Sequence, residues 1–552
     1  MNLLKKALLA FVVIITYTKT IAQSADPLTY IPKQAQNVYV INLPTILPKM
    51  DFQTLKDLSF VKEVLEKGSN QQAMAYLKNP MEMGVNLFKP MAITITPIEG
   101  TPHRIVATII PLLNQDKFNA IIASGNSKIV QKDGLSVVEG DSSVLAWNNL
   151  MFVAMKLVTK KDPMSALMAK SDTSDTQEKL PTLDPSVYFQ NSETNIKTDA
   201  LRALMGTPHD IYIYQATNGA GKSMKGMIAS MAFGLNPTDL DGNVTTGWAD
   251  FENGRIYGES TQKMNEAMAQ KFSSIGKAQP TVDWNDYINT SSGQKPTMVV
   301  SFSLNPTGIK DLINSNPMLQ MGAEKAATKA ATKAGDKFSM DKVFNTFGGD
   351  VFAAMTKKEN GMDFLIGLSI ANKKAAEKMI KEDLKLKKMG KNLYVFEPKK
   401  PVVTEDMDTT SSPMTFMKAK SPMFVLLKDN VALIGKEAQI QALSKAKLTK
   451  LAANDLSDWQ KSLKNKPLNV YIDVQSISGL AKGKLDNMPF ESVSLNMSHK
   501  VTSFEVKMLE KDKNALTAFF IFVDKTMQDK KAKEKQTELQ DGITKPKEEK
   551  ND

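Results

Sequence analysis

Cysteine is absent from the 552 residues. That absence excludes disulfides, thiolate metal sites and cysteine nucleophiles together. It also excludes lipid attachment at an N-terminal cysteine. Histidine is scarce: His103, His209 and His499 stand far apart. No HExxH pair and no Gly-x-Ser-x-Gly elbow accompanies them. Beyond the first residues, no apolar run approaches the ~20 residues that a membrane-spanning helix needs. Burial alone must therefore hold the fold, and a chain of this length can form sizeable cores.

Residues 1–22 read as a signal peptide. Lys5 and Lys6 precede an apolar run from Ala7 to Tyr17, and Thr20 and Ala22 are small residues before a cut at Gln23. The expected product is exported to the periplasm or the extracellular space, peripheral to the envelope at most. The formal charge is +11. Without Lys5, Lys6 and Lys19 it becomes three lower, +8. The lysines are scattered among acids, as on a solvated surface, whereas a nucleic-acid surface clusters arginine with aromatics. No nucleic-acid partner is expected.

What the chain does contain is an internal duplication. The stretch Ile211 to Lys222 aligns without gaps on Tyr471 to Lys482, pairing Gln215 with Gln475, Gly219 with Gly479 and Lys222 with Lys482. Arg104 to Asn114 aligns on Met362 to Asn372, and Val144 to Ala154 on Val425 to Gly435. Strand and helix patterns alternate irregularly between hairpin signals. Asp133-Gly134, Asn148-Asn149, Asn253-Gly254 and Asp429-Asn430 read as turns. Asn114 and Asn372 read as N-caps of equivalent helices, with Ile122 and Ile380 at matching offsets. The expected fold class is α+β, with two tandem modules, each a mostly antiparallel sheet with packed helices. The modules span residues 23–276 and 295–527. Residues 277–294 form a linker that Trp284 and Tyr287 suggest is partly packed. Residues 528–552 form a charged, disordered tail. The halves differ mainly by polar inserts, from Ser171 to Ser186 and from Pro398 to Pro422.

Few motifs suggest chemistry. Ala216 to Ser223 satisfies a permissive phosphate-loop pattern, with Lys222 and Ser223 in the functional places. Its aligned twin, Ser476 to Gly483, lacks the Gly-Lys-Ser core, so a shared structural turn explains the loop. A calcium-like Asp241-Gly242 fails at its first ligand, Pro237, and its last, Trp248, and reads as a turn. Asp250, Glu252 and Glu259 flank a hairpin, and nothing in their spacing selects a catalytic pair. Abundant methionine, including Met91, Met155 and Met355, reads as core filling. No catalytic, cofactor-binding or metal-ligating residue is assigned, and no cofactor is expected.

The segment Ile31 to Asn42 begins Ile-Pro-Lys-Gln-Ala and runs into a strand. Gly84, Val85, Leu87 and Pro90 then precede another. With these features the chain resembles an exported Bacteroidota family termed domain of unknown function 4836. The resemblance implies an envelope location and no assigned activity or catalytic residue. Many relatives look like lipoproteins, from which this cysteine-free chain departs. The sequence thus points to an exported, non-enzymatic binding or scaffolding protein with a protein or glycan partner in the envelope. The alternatives are a carboxylate-dependent hydrolase working between the modules and a binder of anionic envelope polymers.

Overall fold

The computed structural model describes residues 26–51, 54, 57–59, 61–62, 80–99, 101, 103–124, 127–159, 181–190, 196–217, 235–292, 295–317, 319–325, 339–358, 361–397, 422–446, 456–463, 466–478, 488–498 and 500–544. The leader, both polar inserts for most of their length, and the phosphate-loop-like segment from 218 onward lie outside the described residues.

Among the described residues the first half contributes ten strands: β1 (Asn37–Ile41), β2 (Met91–Pro97), β3 (His103–Pro111), β4 (Val130–Lys132), β5 (Leu135–Gly140), β6 (Ser143–Trp147), β7 (Met151–Thr159), β8 (Ile211–Ala216), β9 (Val244–Glu252) and β10 (Arg255–Lys263). The second contributes β11 (Met298–Ser303), β12 (Phe347–Lys358), β13 (Gly361–Ile370), β14 (Lys387–Gly390), β15 (Leu393–Phe396), β16 (Met423–Lys428), β17 (Val431–Gly435), β18 (Leu468–Asp473), β19 (Phe490–Met497) and β20 (Val501–Met508). The principal helices are α1 (Gln115–Ser124), α2 (Ile196–Met205), α3 (Glu266–Ile275), α4 (Asn285–Ser292), α5 (Pro306–Ser315), α6 (Lys373–Lys378), α7 (Asp458–Ser462) and α8 (Ala515–Thr544).

Among the described residues every pairing is antiparallel, and the twenty strands join one sheet. The spatial order in the first half is β4-β5-β6-β7-β3-β2-β1-β8-β9-β10. The second half repeats it as β14-β15-β16-β17-β13-β12-β11-β18-β19-β20. The halves meet edge to edge through β10 and β20. Glu259 faces Ser503 there, and Gly258↔Phe504 mirrors Ser260↔Thr502. A pseudo-twofold axis therefore passes through the Glu259–Ser503 pair.

One row of directly opposed residues crosses the sheet. In the first half it runs Val137, Ala146, Val153, Ile109, Ala92, Val40, Tyr212, Trp248, Glu259. In the second it runs Leu393, Leu426, Leu433, Gly367, Phe352, Ser301, Asn469, Asn496, Ser503. This row corrects two of the sequence alignments. Arg104 does match Met362. Ile211, however, corresponds to Leu468 rather than Tyr471, and Val144 to Phe424 rather than Val425. The physical reason is the two-residue period of a strand: an odd slip sends every buried side chain to the opposite face. The ungapped alignment set half-buried Ile211 on buried Tyr471, whereas the row sets buried Tyr212 on buried Asn469. With that register goes the pairing of Gln215 with Gln475. The first lies in β8 and the second in a helix, Val474–Ser478.

Each half buries a core on the face carrying this row. Val38, Val40, Ile109, Val153, Tyr188, Leu201 and Tyr212 pack together in the first half. In the second, Trp284, Ile288, Phe352, Leu433, Trp459 and Tyr471 do so. Ala92 with Ile109 becomes Phe352 with Gly367. A Cβ on Gly367 would strike the Phe352 ring, so bulk has moved from one strand to its neighbour. Within the linker, Trp284, Tyr287 and Ile288 are buried and pack into the second core. On the opposite face, Phe118 of α1 packs on Trp147, and Ile380 beyond α6 packs on Leu427. Asn114 and Asn372 cap these helices, accepting from the amides of Lys117 (2.9 Å) and Ala375 (3.1 Å).

Each half's final helix packs on the other half. After β10, α3 lies against α5. Asn305, the N-cap of α5, donates its backbone N–H to the Ile275 carbonyl (2.6 Å). After β20, α8 returns to the first half, where Leu516 and Phe520 pack with Ile46, Met50, Leu58 and Val61. Helix α8 passes through residue 528, and residues 545–552 lie outside the described residues. Lysine and glutamate favour helix, so a helix nucleated by its packed first turns continues through the charged stretch to Thr544. Among the described residues no helix is long and apolar enough to cross a membrane.

The α3–α5 crossing is close because Gly308 has no side chain: a Cβ there would fall on the Ser274 carbonyl. Gly308→Ala is expected to cost about 3 kcal/mol or more, since backbone must move apart. Denaturant unfolding followed by fluorescence measures it. A loss below about 1 kcal/mol would mean that the crossing is loose.

Candidate functional site

The face that carries apolar cores toward both ends of the sheet changes character in the middle. Alternation along β9, β10, β20 and β19, together with their registers, puts a block of polar and aromatic residues on it. Opposed across the strands are Glu252, Arg255, Lys507 and Ser492, then Asp250, Tyr257, Glu505 and Ser494. The row through Trp248, Glu259, Ser503 and Asn496 follows. Both halves supply this block. The reverse face of the same strands is apolar, with Phe251 against α8 and with Ile256 and Val506 against Met508 and Ala518.

An ordered arrangement of rings and charges occupies the first-half side. The His209 imidazole stacks on Trp248 at 3.9 Å between centroids and 9° between planes. Tyr257 meets Trp248 edge-on at 5.5 Å, and the Arg255 guanidinium sits 4.5 Å over the Tyr257 ring. Arg255 pairs with Glu252 (2.6 Å) and reaches Glu505 across the seam (3.4 Å). The Tyr257 hydroxyl donates to Glu252 (3.0 Å). The Arg255 hydrogen bonds hold the Glu252 carboxyl below its ordinary range. Burial, then the bond to Glu252, pushes the Tyr257 hydroxyl up to about 12.

Beneath lies a buried ionic knot. Asp210 is fully buried and takes Lys49 Nζ at 2.8 and 2.9 Å. It also accepts the Phe251 amide at 2.7 Å. Asp250 accepts the Asp210 amide (2.9 Å), and its other oxygen lies 2.8 Å from His209 Nδ1. Asn42 donates to the His209 carbonyl (2.9 Å). The segments after β1, before β8 and at the end of β9 are thus pinned together.

Of the residues singled out in the sequence, His209 and Asp250 come together, and Asp250, Glu252 and Glu259 share the central face. His103 begins β3, with Nδ1 3.1 Å from the Thr159 hydroxyl, far from this cluster in the strand order. His499, Lys222 and Ser223 lie outside the described residues, as does the twin loop from Gly479 onward. Asp241-Gly242 is a turn, with Gly242 at φ +79°. Among the described residues no cluster of three His, Asp or Glu side chains could hold a metal. Sequence reasoning missed Lys49 and Arg255, because the contacts joining them to Asp210 and Glu505 span 161 and 250 positions.

A scan against known protein families matches no family model. A search of curated proteins finds no match either. Among solved structures, three crystal forms of TP0453 align with part of the chain. Form I shows 8% identity over 46% of this chain and 87% of that one, with a TM-score of 0.21. Form III shows 11% identity over 46% and 87%, with 0.23. Form IV shows 8% over 47% and 88%, with 0.25. Values this low transfer neither fold nor function.

Proposed function

We propose that the chain is an exported protein of a bacterial envelope, akin to the uncharacterised family it resembles, that binds or scaffolds without catalysis. Its recognition surface is the central face of β9, β10, β20 and β19. The observation that carries this reading is the change along one sheet face, from apolar packing toward each end to Arg255, Tyr257, Glu252, Glu505 and Lys507 at the seam. Glu252, Arg255 and Glu505 remain between 30% and 44% exposed. Charges of both signs beside rings suit a partner offering both donors and acceptors, such as a protein segment or an envelope glycan. The hydrolase alternative needs a carboxyl that stays protonated near neutrality. Glu252 is held in the opposite direction, which disfavours it as that acid.

The test is retention of the purified protein on envelope fractions. The wild type is expected to bind in a salt-dependent manner, and Arg255→Ala combined with Tyr257→Ala to lose about tenfold or more. Equal retention of both proteins would remove the central face from the reading. No retention of either would remove the binding role.

A further inference from the structure

The central row carries amide side chains only in its second half, and there its hydrogen bonding is incomplete. Among the described residues, five buried side-chain polar atoms lack a hydrogen-bond partner: Thr96 Oγ1, Trp284 Nε1, Asn285 Oδ1, Asn469 Oδ1 and Asn496 Oδ1. Three are amide oxygens, and all three belong to the second half. Asn469 faces Asn496 across β18 and β19, and Ser301 faces Asn469 across β11. Directly opposed side chains on one face have Cβ atoms ~5 Å apart. Asn285 reaches the same corner through α7. Its NH2 donates to the Gln460 carbonyl (3.2 Å), while that of Asn469 donates to the carbonyls of Lys466 (2.8 Å) and Leu463 (3.4 Å) and to Ser301 Oγ (3.0 Å).

Those donations fix which way the Asn469 and Asn285 amides point. Turning Asn469 or Asn285 over would set oxygen against carbonyl oxygen. Both residues are 1% exposed, so bulk water does not satisfy their oxygens. An unpartnered buried acceptor is costly. The fold does not require these amides, because the first half builds the same row with Val40, Tyr212 and Trp248.

We infer that Asn469, Asn496 and Asn285 form a binding site for a monovalent alkali cation. The oxygens are hard and neutral, and the opposed pair includes no carboxylate. Divalent sites use carboxylates to offset the ion's charge, whereas cages of neutral carbonyl-type oxygens hold potassium or sodium.

Thermal unfolding of the full chain is compared in KCl, NaCl and choline chloride at one ionic strength. The midpoint is expected to be about 1–3 °C higher in one alkali salt than in choline. That difference is expected to vanish in Asn496→Leu, a strand substitution at a partly exposed position, or in Asn496→Ser should the first not fold. Crystals soaked in rubidium should give an anomalous peak between Asn469 and Asn496. Equal midpoints in the three salts would overturn the inference, as a network in which Asn496 simply donates to Asn469 would give. So would an alkali effect that survives both substitutions, or crystals without that peak.

Discussion

A chain ending at Asn514 is expected to lose the fold of its first half while keeping much of the second. Helix α8 is the last element made, yet Leu516 and Phe520 close the cluster of Ile46, Met50, Leu58 and Val61, which belongs to the first. Each large apolar side chain buried here contributes about 1.5–3 kcal/mol. Six such side chains, two lost and four left exposed, amount to at most about 9–18 kcal/mol, as large as the whole stability of a domain. Ser59 to Asp524 (2.6 Å) and Asn514 to the Phe251 carbonyl (3.0 Å) show the same docking in polar terms. Hydrogen exchange resolves the outcome by region. Amides of β1, β8 and β9 should lose protection, whereas those of β12, β13 and β17 should retain it. Unchanged protection in β1 and β9 would show that α8 is an accessory.

Asp210→Ala is the point substitution with the largest expected effect. It strips Lys49 of its partner and leaves the Phe251 amide without its acceptor. Removing one member of a buried charge pair costs about 3–5 kcal/mol, because the other charge remains. Asp210→Asn should cost less, since an amide oxygen can still serve Phe251. Adding Lys49→Met to Asp210→Ala should recover part of the loss, and the double-mutant cycle measures how much. A loss under about 1 kcal/mol for Asp210→Ala would contradict the assignment of this knot as the anchor of β8 and β9.

What could be read from the sequence was local. Asp133-Gly134 makes its turn with φ of 52° and 78°, and Asn253-Gly254 joins β9 to β10 with Gly254 at 71°. Two or three adjacent residues determine such turns, as they do the caps at Asn114 and Asn372. The duplication was legible as well, but its register was not. Ungapped matching rewards chemical likeness, and the halves have exchanged bulk between neighbouring strands, as Phe352 and Gly367 did with Ala92 and Ile109. The seam was illegible for another reason. β10 and β20 lie far apart in the chain, and neither strand carries a pattern naming its partner. The central face inherits that difficulty: Arg255 and Glu505 read as surface charge until the register opposes their strands.

The axis at the β10–β20 seam has a further consequence. In a symmetric pair of identical chains, a residue on the axis must meet its own copy. A glutamate there would confront a second glutamate, and like charges directly opposed destabilise a sheet. Here both sides of the axis belong to one polypeptide, so Glu259 faces Ser503 instead. Covalent continuity thus permits what self-association forbids: unlike residues face to face at the centre, with an aromatic flank on one side and an amide flank on the other.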